Sequence, residues 1–154
     1  MPKIDISKLA TDTFTGYPPP FDKAVQGRIR KRLGNAIGLD QFGVNLTTLK
    51  PGAASALRHW HAREDELVYV LEGEVVLVED EGETVLRAGD CAGFKAGVQN
   101  GHHLVNRSGA SARLLTVGTR DDGDHGEYSD IDMRFLPGRY SGRGGFTRKD
   151  GSPF

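Results

Sequence analysis

What most constrains this chain is how its apolar residues are punctuated. Between residues 41 and 120 they fall into short runs, at 42–49, 66–71, 74–79, 84–86, 102–106 and 112–119. The runs are separated by Pro51-Gly52, Asp80-Glu81-Gly82, Ala88-Gly89-Asp90 and Ser108-Gly109, dipeptides and tripeptides that favour turns. Runs of this length suit strands, and no segment keeps a 3.6-residue period for more than two turns. The 21 glycines and seven prolines in 154 residues agree with many turns and few helices. The expectation is one all-β domain, a barrel or a sandwich, large enough to bury a core without disulfides or a structural metal.

Two flanks differ in texture from this core. Residues 1–40 carry Tyr17-Pro18-Pro19-Pro20 and the basic run Arg28-Ile29-Arg30-Lys31-Arg32. Consecutive prolines lack N–H donors and fix φ, so this flank reads as an N-terminal arm lying extended on the surface. A short strand could follow it, and the basic run reads as solvated or facing another subunit. Residues 121–154 hold seven glycines and apolar residues with no period, and read as an ordered C-terminal tail that packs on the barrel or on a partner. Phe14, Tyr17 and Phe21 in the arm, and Phe135, Tyr140 and Phe146 in the tail, need a surface to cover. An isologous homodimer would provide one.

Charge narrows the partners. Twenty basic and 21 acidic residues leave a formal charge of −1, which gives no footprint for nucleic acid or an anionic membrane. No run approaches the roughly 20 apolar residues of a membrane helix, and the N-terminus lacks an apolar leader. With a single cysteine, Cys91, no intrachain disulfide forms, and the expected location is the cytoplasm. Cys91 itself reads as a small buried residue at a strand start rather than a nucleophile.

The chemistry concentrates in His59, His61, Glu66 and His102. Histidines two apart on a strand project from one face, so His59-Trp60-His61 offers two imidazoles side by side and turns the indole away. Four residues then let the chain turn so that Glu66, first in its strand, returns to the same point. In His102-His103-Leu104-Val105-Asn106, alternation puts His102, Leu104 and Asn106 on one face and His103 on the other. Asn106 would then support His102 from behind. His125 reads as a solvated loop residue, and Trp60 as a core or interface aromatic.

These residues carry a family resemblance. The stretch from Gly52 through His59, His61 and Glu66 to Gly73 resembles the first motif of the cupin superfamily, with one extra residue between Gly52 and His59. Gly89-Asp90, Lys95-Ala96-Gly97 and His102 to Asn106 resemble its second motif more loosely. Without the two-residue insertion after Gly97, Asn100 would fall at the ligand position, so His102, His103 and Asn100 all remain open there. The resemblance covers about residues 41–120 and extends to small single-domain bacterial cupins sometimes described as sugar-phosphate isomerases. It implies a double-stranded β-helix, the jelly-roll barrel of RmlC-like proteins.

It also implies one divalent ion, Fe, Mn, Ni or Zn, held by His59, His61, Glu66 and His102. Two adjacent coordination positions left open would admit a small molecule that chelates through two oxygens. This fits a dioxygenase-type oxidoreductase or an isomerase; the alternative is a non-catalytic module that senses a small ligand. Glu64, Asp65, Glu72, Gln99 and Asn100 lie near the motifs, but the sequence assigns none of them a catalytic role.

Overall fold

The computed structural model describes residues 3–154. Its first strand, β1 (Arg28–Arg32), is followed by β2 (Phe42–Leu49), β3 (Glu66–Glu72), β4 (Glu74–Glu79), β5 (Gly82–Arg87) and β6 (Cys91–Phe94). Next come β7 (His103–Val105) and β8 (Ala112–Thr119), then three two-residue strands: β9 (Gly126–Glu127), β10 (Arg134–Phe135) and β11 (Phe146–Thr147). The only helical pieces among the described residues are three 3-10 turns, the longest Phe21–Val25. The runs expected at 42–49, 74–79 and 112–119 coincide with β2, β4 and β8.

An antiparallel five-stranded sheet, in the order β1-β2-β8-β3-β6, packs against a three-stranded sheet, β5-β4-β7. Leu49, Val68, Val70 and Leu114 from the first meet Val75, Leu77, Leu86 and Leu104 from the second in one core. Period-2 alternation selects these residues. Val68 and Val70 are buried, while the intervening Leu67, Tyr69 and Leu71 stand on the outer face. The same alternation sets Glu66 at the head of the inward row, two residues before Val68. The chain then turns from β3 into β4 at Gly73, whose φ is +80°. A Cβ there would lie 2.9 Å from Ala112 Cα, so both conformation and space demand glycine.

The basic run is not a solvated arm. As β1 it pairs along its whole length with β2, Arg28 opposite Leu49 and Arg32 opposite Asn45, and Arg28 is buried. Cross-strand pairing puts Arg28, Arg30 and Arg32 on the inward face because their partners Leu49, Thr47 and Asn45 lie there. The main sheet therefore begins N-terminal to residue 41. Cys91 also departs from expectation: at the start of β6, opposite Tyr69, it is exposed.

The tail packs on its own chain. Strands β9, β10 and β11 form a small antiparallel sheet, and residues just before and within it pair with the histidine segment. Trp60 N–H donates to Glu127 O (3.3 Å) and Ala62 N–H to His125 O (2.8 Å). Gly126 permits this approach, since a Cβ there would stand 1.9 Å from Trp60 O. Tyr128, Met133 and Phe135 form a second core against which Tyr17, Phe21 and Phe146 pack. Most aromatic residues that seemed to need a partner subunit thus cover one another; Phe14 and Tyr140 stay exposed.

Candidate metal centre

The two imidazoles of the histidine pair are oriented from behind. His59 Nδ1 lies 2.8 Å from Leu57 O, and since a carbonyl only accepts, Nδ1 carries the proton. His61 Nδ1 lies 2.6 Å from Asp124 Oδ2, a carboxylate that holds the proton on Nδ1 in the same way. In the neutral rings both Nε2 atoms are then bare, and they face each other at 3.0 Å. Two lone pairs so placed repel unless a cation or proton lies between them. Two nitrogens each about 2.1 Å from a common ion, at right angles, would be separated by about 3.0 Å.

Glu66 adds the carboxylate. Its Oε2 is 3.5 Å from His61 Nε2, 4.0 Å from His59 Nε2 and 2.8 Å from His102 Nε2. Donor atoms of His59, His61 and Glu66 all fall within 4.8 Å of one another, and His102 joins this group through Glu66. The His102 ring stacks flat on Phe94, with centroids 3.5 Å and planes 3° apart, which limits its rotation. An array of three imidazoles and one carboxylate, with two ring tautomers fixed by hydrogen bonds, fits a divalent transition metal ion.

Protonation preferences at His59 and Glu66 agree with that chemistry, while at His61 a proton competes for the nitrogen. Burial pushes His59 down to about 3, so it stays neutral and keeps its lone pair. Burial also disfavours the charged form of Glu66, but its hydrogen bond to His102 and the nearby imidazoles outweigh this and hold it below the usual carboxylate range. For His61, burial pulls down while Asp124 and Glu66 pull up, and the carboxylates prevail, raising it above an ordinary histidine.

The structure separates the three positions that the second motif left open. His102 is buried with Leu104 and points to Glu66, whereas His103 Nδ1 donates to Ala56 O (2.9 Å) on the other face. Asn100 is held by the β4–β5 turn, its Oδ1 accepting from Asp80 N–H (3.0 Å) and its amide donating to Glu79 (3.4 Å). Asn106, inward and fully buried, does not support His102. Its amide donates to Leu49 O (2.8 Å) and Ala110 O (2.7 Å), and its Oδ1 accepts from Ser108 N–H (2.9 Å), closing the loop before β8. His125 is exposed, and Trp60 is half-buried.

Several site residues have no signature in the sequence. Asp124 comes from the glycine-rich tail, 63 residues from the histidine it orients. Glu64 is also buried near His61. It accepts from Tyr140 Oη–H (2.7 Å) and Asp121 N–H (3.0 Å) and is 3.2 Å from Arg139 Nη2. Arg139 lies 3.0 Å from Asp124 as well, so in the second acidic grouping, His61 with Glu64 and Asp124, both carboxylates are already bridged by one guanidinium. Although the Tyr140 ring is partly exposed, its hydroxyl points inward, and desolvation there together with Glu64 raises it above the ordinary phenol.

All four donors line a cavity of about 670 Å³ that runs between the main sheet, the N-terminal strap 14–17 and the tail. Gly43 and Gly118, opposite one another on β2 and β8, let the Arg120 and Glu66 side chains lie close against its wall. The cavity gives a small molecule access to the donor atoms.

Comparison with known proteins agrees with this architecture. The cupin domain family matches residues 45–118, the span from β2 to β8. Among solved structures, a sugar phosphate isomerase from a cupin superfamily, from Silicibacter pomeroyi, is 50% identical, with 99% of this chain and 96% of that chain covered and a TM-score of 0.95. A protein from Acidithiobacillus ferrooxidans, provisionally given the same activity, is 30% identical over 79% of this chain and 76% of its own, with a TM-score of 0.73. The polyketide cyclase RemF of Streptomyces resistomycificus shares the fold at 20% identity, over 79% of this chain and 80% of its own, with a TM-score of 0.65. No curated protein gives a significant match. With the histidine and glutamate motif seated on two facing antiparallel sheets, and half its residues shared along nearly its whole length with a cupin, the chain belongs to the cupin superfamily.

Proposed function

We propose that this chain is a metal-dependent enzyme that isomerises a small substrate bearing adjacent hydroxyl and carbonyl oxygens. The observation that carries this reading is the convergence of His59, His61, Glu66 and His102 donor atoms on the wall of an accessible cavity. A divalent ion held there would supply Lewis-acid polarisation of two substrate oxygens. The protein's own groups do the rest. Leu57 O and Asp124 hold the two imidazoles in the metal-binding tautomer, Glu66 stays ionised, and Phe94 fixes the plane of His102. Isomerisation of a hydroxycarbonyl compound only relocates protons, so it needs no oxidant. The name of the relative at 50% identity, sugar phosphate isomerase, supports this class over a dioxygenase.

Elemental analysis of protein purified without added metal, followed by incubation with small hydroxyaldehydes and hydroxyketones in D2O, tests the reading. Bound divalent metal together with deuterium entering at the carbon next to the carbonyl is expected. Oxygen consumption with oxidised product would replace the isomerase by a dioxygenase. Tight binding of such compounds without turnover would identify a binding module.

A further inference from the structure

The cavity lining is strongly basic, although the whole chain is nearly neutral. Its lining includes Arg28, Arg30, Arg32, Arg120 and Arg139, against only two acids, Glu64 and Glu66. Arg139 is answered by Glu64, and Glu66 by the histidines around it. The remaining four arginines have one carboxylate between them, Asp12, which is not part of the lining. Arg120 donates to Leu39 O (2.7 Å) and to the Asn35 side chain, both neutral.

On β1 three guanidiniums share one acid, Asp12, which is 3.1 Å from Arg30 and 2.6 Å from Arg32. Arg28, only 7% exposed, spends its terminal nitrogens on Ser55 O (2.7 Å) and Phe14 O (3.2 Å). The Nε atoms of Arg28 and Arg30 are buried and without a partner. Three positive charges against one negative leave an excess of two, and although Arg32 reaches solvent, Arg28 is buried and Arg30 largely covered, where an uncompensated charge is costly. Crowding shows in Arg30, which burial and then its two arginine neighbours pull down to about 10. An incoming dianion would balance the excess.

The register fixes where this group lies. Arg32 pairs with Asn45, Asn45 with Thr116, and Thr116 with Val68, two residues from Glu66. At the usual strand spacing and rise, the backbones of Arg32 and Glu66 are roughly 15 Å apart, a gap that inward side chains and a small substrate fill together. Between the two ends the inward residues Asn45, Thr47 and Thr116 are polar, suited to hydroxyl groups rather than to a hydrophobic chain.

We infer that Arg30 and Arg32, backed by Arg28, form the subsite for the phosphoryl group of a phosphate monoester whose other end reaches the His59, His61, Glu66 and His102 donors. The inference rests on the metal-centred reading for the identity of that other end. Planar guanidiniums bind phosphate oxygens in pairs, and a phosphate monoester carries a charge of about −1.5 to −2 at pH 7. A monocarboxylate would neutralise only half of the excess.

Titration of the full-length protein, stripped of metal by chelation, with inorganic phosphate at low salt tests the subsite without any contribution from an ion. Calorimetry should show saturable binding, with acetate at least about tenfold weaker. Arg30→Gln and Arg32→Gln should each weaken phosphate about tenfold, and Arg32→Lys less, since it keeps the charge and loses the fork. A His59→Ala, His61→Ala double variant should bind phosphate as the wild type does. Thermal melts establish that each variant is folded, and Arg32, the most exposed of the three, serves if Arg30→Gln does not fold. Absent phosphate binding, acetate binding of equal strength, or phosphate affinity indifferent to Arg32→Gln would overturn the subsite. Phosphate binding that needs the arginines, in a protein that holds no divalent metal either as purified or after metal is added back, would instead overturn the metal-centred function and leave the subsite standing.

Discussion

Asp124 Oδ2 sits 2.6 Å from His61 Nδ1, so a carboxylate from the tail beyond the barrel sets the tautomer of a histidine in its first motif. Removing that acceptor leaves the imidazole in place but free to rotate or to move its proton to Nε2, where a metal would bind. Asp124→Asn should lower divalent-metal affinity about 10- to 100-fold while leaving the fold intact. Competition with a chromogenic chelator measures this, and an unchanged affinity would show that Asp124 only anchors the tail.

His102 and His103 are neighbours in sequence with opposite surroundings, one beside Glu66 and the other on Ala56 O. His102→Ala should sharply reduce bound metal, whereas His103→Ala should keep stoichiometry near that of wild type. Elemental analysis of the two purified variants decides between them; retention in the first with loss in the second would reassign the fourth ligand.

Acidification should release the metal, and the residue that drives release is His61. A proton competes with an ion only at a nitrogen basic enough to take it. His59, held near 3 by burial, remains neutral over the accessible range. His61 is raised by Asp124 and Glu66, so in the metal-free protein it is protonated below a point above the ordinary 6.5. Metal affinity should therefore fall by about a decade per pH unit, or more steeply, as pH drops through neutrality toward 5. Calorimetry in buffers of different ionisation enthalpy should show proton release on metal uptake in this window. Full retention of metal after prolonged dialysis at pH 4.5 would contradict a histidine-based site.

Gly126 lets the tail lie against the histidine segment. Its Cβ position is 1.9 Å from Trp60 O and 2.7 Å from Phe135 Cζ, so Gly126→Ala forces backbone apart rather than shifting a flexible side chain. The variant should lose roughly 1–3 kcal/mol of stability and hold metal more weakly, because His59 and His61 flank the displaced carbonyl. Urea unfolding and metal content together check this, and wild-type values for both would mean the tail contributes nothing to the site.

Local sequence was sufficient for the barrel strands and for the side-by-side placement of the proposed donors. Strand alternation has a period of two, so turn residues and apolar runs reveal β2, β4 and β8, and the same alternation puts His59 with His61 and separates His102 from His103. What local pattern cannot carry is the chain's return path. Asp124, Glu64 and Arg139 meet at His61 because the tail folds back over the barrel, a contact set by packing of Tyr128, Phe135 and Phe146 against Tyr17. Asn106 likewise sits on the inward face as alternation requires, but which groups its amide meets depended on how the loop before β8 closes. The run Arg28–Arg32 reads as a solvated charge cluster in sequence, because alternation of Arg with Ile and Lys looks the same on an arm as on an edge strand. Only pairing with β2 turned its arginines inward, and with them the positive charge of the cavity.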